Sequence, residues 1–418
     1  MSRVGAVAGR TFESLTESRN FRLFFFGQLV SVTGTWFNAT AVSVLVLRLS
    51  GSGVALGANT ALLFLPVLVF GAVGGVLADR HDKRRILVWT QSLYAAVALL
   101  EWGLILSGSI RLWMVYGLSL AAGFVTAVDH PTRQSFYVDL VGTEHVTNAI
   151  SLNSAMFTGT RVVGAALAGQ LIHSFGVASA FLIDGVTYLA VIGSLLAMRA
   201  AEMQRGPRAA REPGALKEGL RYVWTTPALR RPLVVMTVVF TMSFNFIVLI
   251  PLLTAQQYGG DPRVLGWLSA FAGMGMLAGA LVMANRAPAP TWARLTGFAA
   301  AFGAVLAIEG LMPTLPLSYL VMIPLGFLGM SFAITANSTL QLASRPEMRG
   351  RVMAIYGVVF LGSTPVGAPI AGWIGERFGA PAGFVIGGLA SVAAGLVGLA
   401  VGRRRAAARR LAAAGVDA

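Results

Sequence analysis

The chain has 418 residues, of which 56% are hydrophobic and only 12% charged, whereas soluble proteins are about a quarter charged. Together with a mean hydropathy of +0.72, this excludes an ordinary soluble domain. The absence of cysteine excludes disulfides and thiol chemistry, and the net charge of +15 suits a nucleic-acid partner only if the arginines form an accessible patch.

The first 21 residues are polar and lack the continuous apolar core and small-residue cleavage site of a signal peptide. We therefore expect the first apolar segment to stay in the mature protein. It is followed by further apolar stretches of about 20 residues, each long enough to cross the hydrocarbon core as a helix. The predicted fold class is an all-α integral membrane protein with twelve spans, at 22–47, 54–78, 86–107, 112–132, 148–172, 178–198, 232–256, 264–285, 295–312, 315–340, 352–375 and 382–402.

These spans predict two six-helix bundles, at 22–198 and 232–402, between a tail over 1–21 and a basic tail over 403–418. The linker over 199–231 is the only long polar insertion between spans. It contains an amphipathic stretch over 215–224, which predicts a short helix lying on the membrane surface.

The positions of the 32 Lys and Arg residues predict the orientation. Only Arg48, Arg111, Arg263 and Arg377 lie in loops on one side, and Arg161 lies within a span, while all the others fall on the opposite side. Because positive residues stay with the cytoplasm, both termini and the linker are predicted to be cytoplasmic. The charge is thus explained by topology and contact with anionic lipid, and no nucleic-acid partner is expected.

The two halves are related by an internal repeat. When residue n is placed over residue n+203, the segment 148–169 matches 351–372 at a phenylalanine and at several glycines and alanines, and the match continues without a gap to Gly185 over Gly388. This register places six spans over six spans in the same orientation. Small residues at these spacings favour close helix packing, which two rocking bundles would also require.

The stretch GVLADRHDKRR, between the second and third spans, resembles the G-x-x-x-D-R-x-G-R-K/R-x motif of the major facilitator superfamily. The matching residues are Gly75, Asp79, Arg80, Lys83 and Arg84, while Asp82 replaces the motif's second glycine. Segments 129–141, 161–169 and 345–356 are similar to the siderophore-exporter and multidrug-efflux branch. The resemblance implies two pseudo-symmetric six-helix bundles that operate by alternating access.

The resemblance also implies that this loop stabilises the closed cytoplasmic gate. Asp79 can lie at the N-terminal end of the eleventh helix near Arg349 and Arg351, where the helix dipole favours an anion. The basic residues Arg80, Lys83 and Arg84 can pair with Asp129, Asp139 or Glu144. Pro131 is expected to end or bend the fourth helix, and Asp129 and Arg133 beside it are assigned to the gate. The alternative for all these charges is a topology signal or a helix-end charge.

Four charged residues lie well inside predicted spans: Arg161, Asp184, Glu101 and Glu309. Since such charges are costly in a bilayer, each should face a partner or water. At ~1.5 Å per residue, Arg161, Asp184 and Glu101 fall at a similar depth. We therefore predict an ion pair of Arg161 with Asp184 or Glu101. The pair is either structural or takes part in proton coupling or substrate contact, and all four residues are candidates for coupling.

In the superfamily, spans one, four, seven and ten line the transport path. The polar and aromatic candidates on these spans are Gln28, Trp36, Asn38, Tyr116, Phe244, Asn245 and Asn337. Interhelical hydrogen bonding is the alternative role for the amides, and core packing is the alternative for the aromatic rings. The first span has no acid, which disfavours a purely cationic substrate.

No enzyme motif is present: the four histidines have no metal spacing, and there is no nucleophile elbow or phosphate-binding glycine loop. No cofactor or metal is expected. The predicted function is secondary active export of amphipathic small molecules, drug-like or siderophore-like, with proton antiport as the expected coupling. The alternatives are a non-transporting scaffold, a lipid flippase or an importer. We expect a monomer in the inner, cytoplasmic membrane whose partners are substrate, protons and lipid.

Overall fold

The computed structural model describes residues 13–204, 215–286 and 290–413, and within these ranges the chain forms helices and no strand. The first half contains α1 Glu13–Glu17, α2 Arg19–Ser50, α3 Gly53–Arg80, α4 Lys83–Leu106, α5 Leu112–Phe175 and α6 Val177–Leu196. The second half contains α7 Ala215–Thr225, α8 Pro227–Met242, α9 Phe246–Gln257, α10 Pro262–Arg286, α11 Trp292–Glu309, α12 Leu315–Ala343, α13 Arg349–Gly362, α14 Thr364–Phe378 and α15 Ala380–Ala413.

Ten helices within the described ranges are long and apolar enough to cross a membrane. One of them is the 64-residue α5, which contains two of the predicted spans, and α4, predicted as the third span, is not among the ten. The count of twelve therefore stays a prediction. The amphipathic helix forms as α7, although part of the linker around it, residues 205–214, lies outside the described residues, as do 1–12 and 414–418 of the tails.

The chain divides into two compact units. Unit 1 comprises the described residues of Met1–Gly51, Asn59–Ala210 and Tyr258–Ala270, and unit 2 those of Ser52–Ala58, Arg211–Gln257 and Phe271–Ala418. The first residues of α3 thus belong to unit 2, and the first residues of α10 belong to unit 1. Each unit is therefore completed by a short segment from the other half of the sequence.

In unit 1, α2 packs against α5 and α6, and α4 packs against the same two helices. One end of this unit has an aromatic core in which the Phe24 ring meets Phe136 and Tyr137 edge to face at 5.5 and 5.8 Å. Such geometry adds to the area that the rings bury. In unit 2, α11 lies between α12 and α15. Gly303 and Gly388 allow α11 and α15 to pack closely, because a Cβ on either would overlap the other's carbonyl oxygen.

Helix α5 corrects one expectation. Pro131 was predicted to end or bend the fourth span, but it does not end it, because the helix continues through Pro131 and beyond it. The break falls at Gly142 instead, where φ is +74° and ψ is 176°. Glycine adopts this conformation without the steric penalty that a Cβ imposes.

The seventh span is also divided, because α8 ends at Met242 and α9 begins at Phe246. The break is not at a proline. The Ser243 hydroxyl donates to the Gly387 carbonyl at 2.7 Å, and the Asn245 side-chain amide donates to the Thr241 carbonyl at 2.8 Å. The Asn245 bond compensates for part of the interrupted helical bonding, which apolar surroundings would otherwise penalise, and the Ser243 bond fixes the break to α15.

Candidate functional site

Asp82, which replaces the motif's second glycine, caps helix α4. Its φ is −66°, so this position does not require glycine, and its carboxylate accepts a hydrogen bond from the Arg85 backbone N–H at 3.1 Å. An aspartate at this position satisfies an otherwise unpaired N–H and suits the helix dipole. The departure from the motif thus exchanges a flexible turn residue for a helix cap.

The two basic motif residues after Asp82 bind different partners. Lys83 pairs with Asp139 at 2.8 Å, which confirms one of its predicted acids, and its ammonium also donates to the Ser135 carbonyl at 3.3 Å. Arg84 was expected to pair with an acid, but it instead donates to the carbonyls of Leu195 at 2.6 Å and Leu196 at 3.0 Å. The last carbonyls of a helix lack helical partners, so Arg84 stabilises the end of α6.

Asp129 is buried and accepts three kinds of hydrogen bond. The Thr90 hydroxyl donates to its Oδ1 at 2.7 Å, the Gln91 amide donates to Oδ1 at 2.8 Å, and the Arg133 guanidinium donates to Oδ2 at 2.6 Å. Sequence reasoning did not identify Thr90 and Gln91. Both residues lie on α4, as their distance from Lys83 in the sequence suggests. Their contact with Asp129, however, depends on how α4 packs against α5.

The remaining motif residues lie on α3. Gly75 is buried, Asp79 is half-buried in the last turn and Arg80 is exposed. In unit 2, Arg349 begins α13, and Arg351 pairs with Glu218 of α7 at 2.8 Å. Sequence reasoning missed Glu218, which attaches the linker helix to the start of α13.

Two of the candidate coupling acids form one buried group in unit 1. Asp184 on α6 and Glu101 on α4 are 1% and 2% exposed, and the Asn38 side chain from α2 lies close to both. Gly34, one turn before Asn38, allows α6 to approach α2, because a Cβ there would overlap the Thr187 hydroxyl and lie 3.0 Å from Asp184 Oδ1. No Lys or Arg in the described part of the chain forms an ion pair with either acid.

The predicted ion pair of Arg161 with Asp184 or Glu101 does not form. The Arg161 guanidinium instead lies over the Trp36 ring, with its central carbon 5.1 Å from the ring centroid. Trp36 and Asn38 are two residues apart on α2, so their side chains point about 200° apart around the helix axis. Arg161 and the two acids thus contact opposite faces of α2, although their estimated depths are similar.

The fourth coupling candidate, Glu309, ends α11 in unit 2. Its side chain is 2% exposed, and both of its carboxylate oxygens are buried without a short hydrogen bond to a described residue. Within unit 2 its neighbour is Ser318 of α12. It is therefore not part of the group formed by Asn38, Glu101 and Asp184.

The pathway candidates are distributed over both units. Gln28 is buried with neither amide atom bonded to a described residue, whereas Tyr116 on α5 is half-buried. In unit 2, the Phe244 ring packs against Phe302 at 5.0 Å, which places it in an aromatic core. Asn245 bonds Thr241, as described above, and Asn337 accepts from the Gln341 amide at 2.6 Å.

One cluster of possible metal ligands occurs in the described ranges. Ligand atoms of Glu13, Glu17 and His145 lie within 4.8 Å of one another, beside a cavity that Arg19 and Gln204 help to line. The Glu17 side chain is 55% exposed, and its carboxylate lies 3.2 Å from His145 Nε2. Such an exposed pairing is common without an ion.

The architecture and the buried polar groups define a membrane transporter with the major facilitator fold. A bacterial homologue of the human lysosomal transporter Spinster has the same fold, with a TM-score of 0.69 at 15% identity over 92% of this chain and 95% of that one. Residues 11–414 match the family described as transmembrane secretion effector. The chain belongs to this family, within the major facilitator superfamily.

Two of the relatives to which the chain is similar are named as efflux proteins. Macrolide efflux protein A of Streptococcus pyogenes is 23% identical over 88% of this chain and 93% of its own length. The multidrug efflux pump Tap of Mycolicibacterium fortuitum is 25% identical over 92% of this chain and 96% of its own length. These similarities identify the protein as a multi-pass membrane transporter of small molecules.

Proposed function

We propose that the protein is a secondary active exporter of amphipathic small molecules, drug-like or siderophore-like, which moves them by alternating access in exchange for protons. The efflux activity named for both relatives supports the direction of transport. We place it in the cytoplasmic membrane as a monomer with both termini in the cytoplasm, in line with the distribution of Lys and Arg.

The observation that best supports proton coupling is the group formed by Asn38, Glu101 and Asp184. Two carboxyl groups here lie beside one amide, are nearly excluded from solvent and have no basic partner in the described ranges. Keeping a carboxylate ionised in such a place is costly, and the cost is relieved when the group takes up a proton or when water enters. A transporter whose conformations differ in water access can use such a group to bind and release protons.

The motif residues support a gate in the proposed mechanism. We assign Gly75, Asp79, Arg80, Lys83, Arg84, Asp129, Arg133, Arg349 and Arg351 to it. In unit 1, Lys83 and Asp129 fix α4 to α5, and Arg84 fixes α4 to α6. A rigid assembly at this end of the bundle would move as one body when the gate opens.

A thermal-shift screen of amphipathic compounds on the purified protein would first identify a ligand. Its uptake into everted membrane vesicles then tests the proposal. An exporter accumulates the ligand when the vesicle lumen is acidic and stops when an uncoupler is added. An importer shows the opposite dependence, and a scaffold shows no proton-dependent movement, so either result would contradict export.

A further inference from the structure

Arg161 is a cation that has no anionic partner among the residues the structure describes. It lies within a predicted membrane span on α5, and its guanidinium lies over the Trp36 ring. No acid or carbonyl in the described ranges forms an ion pair or hydrogen bond with it. The buried acids of unit 1 cannot neutralise it, because they contact the opposite face of α2.

A cation at this depth is costly unless it meets water or an anion, and the face of an aromatic ring compensates only part of that cost. Arg133 provides a comparison in the same unit, since its guanidinium is bonded to Asp129 at 2.6 Å. Arginine holds carboxylates through planar, two-pronged hydrogen bonds, so an unpaired guanidinium is suited to bind one.

The surroundings of Arg161 add a second donor and an apolar surface. The indole Nε1 of Trp36 is buried and has no hydrogen-bond partner among the described residues. Phe157, one turn before Arg161, packs its ring 5.5 Å from that of Trp36 and is 47% exposed. Gly164, one turn after Arg161, brings α5 close to Trp36, because a Cβ there would lie 3.0 Å from the Trp36 Cβ.

We propose that Arg161 and Trp36 bind the carboxylate or other anionic group of the exported molecule, while the Trp36 and Phe157 rings contact its apolar part. The substrate class is then amphipathic anions rather than lipophilic cations. The absence of any Asp or Glu from α2 is consistent with this preference. The assignment rests on the proposed export function and specifies the chemistry of what is exported.

Two dyes with the same xanthene scaffold and opposite charge test this assignment: 5-carboxyfluorescein, an anion, and rhodamine 123, a cation. Their affinities are measured by fluorescence anisotropy on the full chain in nanodiscs of uncharged lipid. The wild type should bind the anion more tightly. Arg161→Gln should weaken that binding at least about tenfold and leave the cation's binding unchanged, because the guanidinium–carboxylate pair is lost.

Two further variants separate charge from folding. Arg161→Lys keeps the charge but not the planar donor pair, so it should retain part of the affinity for the anion. Trp36→Phe keeps an aromatic face and removes the Nε1 donor, so it should weaken the anion's binding a few-fold. Arg263→Gln, an exposed arginine change in the same unit, should alter neither dye.

Tighter binding of rhodamine 123 by the wild type, or equal binding of 5-carboxyfluorescein by Arg161→Gln and wild type, would overturn the assignment. If Arg161→Gln does not fold, Arg161→Lys and Trp36→Phe provide the test. Wild-type affinity for 5-carboxyfluorescein in both of these variants would contradict the assignment. Nanodiscs with added phosphatidylglycerol test a lipid source, since displacement of the anion by this lipid would identify a headgroup site instead. Failure of proton-driven export with anion binding intact would reject the proposed function alone.

Discussion

Glu376 occupies the position in the second half of the sequence repeat that His173 occupies in the first, and both residues contact the start of a helix. Within unit 2, Glu376 accepts hydrogen bonds from the Ser52 hydroxyl and from the Val54 backbone N–H at 2.9 Å, at the start of α3. Within unit 1, His173 Nδ1 lies 3.5 Å from Asp261, which precedes α10. The repeat thus preserves the place of the contact, but the residue that makes it is a histidine in the first half and a glutamate in the second.

The contact at Asp261 should make stability depend on pH in the acid range. Hydrogen bonds from Arg263, at 2.8 Å from its guanidinium and 2.9 Å from its backbone N–H, lower the pKa of Asp261 below its ordinary value. Because the pKa of Asp261 is lower in the folded protein than in the unfolded chain, ionised Asp261 stabilises the fold at pH values above the unfolded-state pKa of about 3.9. This contribution is lost as the pH falls from there through the folded-state pKa. Arg263→Ala removes the largest cause of the shift.

We therefore expect the wild type to melt at a higher temperature than Arg263→Ala at pH 6, with the difference shrinking below about pH 4. Asp261→Asn should melt below the wild type at pH 6 and show the weakest acid dependence of the three. Arg294→Ala changes an arginine in unit 2 and serves as the control. A difference that grows as the pH falls would contradict this account.

Asp129 and Arg133 should be strongly coupled in stability. Asp129→Ala leaves the Arg133 guanidinium without its anion in a mostly buried position, which we expect to cost about 3 kcal/mol. Adding Arg133→Met removes the stranded charge and should recover part of that loss. Melting of the wild type, the two single variants and the double variant gives the coupling energy, and purely additive effects would show that the pair is not a unit.

The sequence predicted features that depend on local chemistry. The repeat aligns Gly176 with Gly379, and both have a positive φ, +83° and +89°, at the turn where one helix ends and the next begins. A side chain would be strained at either position, so glycine there is required by the backbone. The pairing of Lys83 with Asp139 was predictable because both charges follow from the motif and its neighbouring loop.

The continuation of α5 through Pro131 could not be predicted from the local sequence. Proline cannot donate to the Ala127 carbonyl, four residues earlier, and that loss usually ends a helix. In the structure Gly74 of α3 packs directly against this carbonyl, where a Cβ would overlap its oxygen. The close approach allows a weak Cα–H contact to the released carbonyl, so a neighbouring helix compensates for the proline.

The partner of Arg161 was mispredicted for a related reason. Depth along the membrane follows from counting residues, and it placed Arg161, Glu101 and Asp184 in one layer. The face of α2 that each residue meets depends on the packing of three helices, which counting does not supply. Each residue step on α2 rotates the side chain by about 100°, and Trp36 and Asn38 are two steps apart. Their side chains therefore contact different neighbours.

Glycines of α10 and α12 should be critical for the packing of these two helices in unit 2. A Cβ on Gly275 would overlap the Ile323 carbonyl oxygen of α12, and one on Gly326 would overlap that of Ala272. Gly275→Ala should therefore destabilise the protein by about 1 to 3 kcal/mol, in spite of alanine's better helix propensity. Gly297→Ala is the matched control, because nothing lies within 4 Å of a Cβ at that helical position.

The control should leave the melting temperature unchanged or raise it, since alanine favours a helix by up to about 1 kcal/mol over glycine. The two variants are compared by thermal melting in the same detergent and by the amount of protein that reaches the membrane. Equal melting of Gly275→Ala and the wild type would show that α10 and α12 can separate without cost.

Removing one carboxyl from the group around Asn38 should abolish proton-driven transport. Asp184→Asn keeps the size of the side chain and its contact with Asn38 but cannot take up and release a proton, and Glu101→Gln does the same on α4. In everted vesicles, we expect ligand accumulation driven by an acidic lumen to fall to the level of vesicles without the protein. The variants should still reach the membrane, because replacing an unpaired buried acid by a neutral amide lowers the cost of burial.

The control is Glu347→Gln, which changes an exposed acid in unit 2 and should transport like the wild type. Proton-driven accumulation at the wild-type rate in both Asp184→Asn and Glu101→Gln would remove this group from the coupling mechanism.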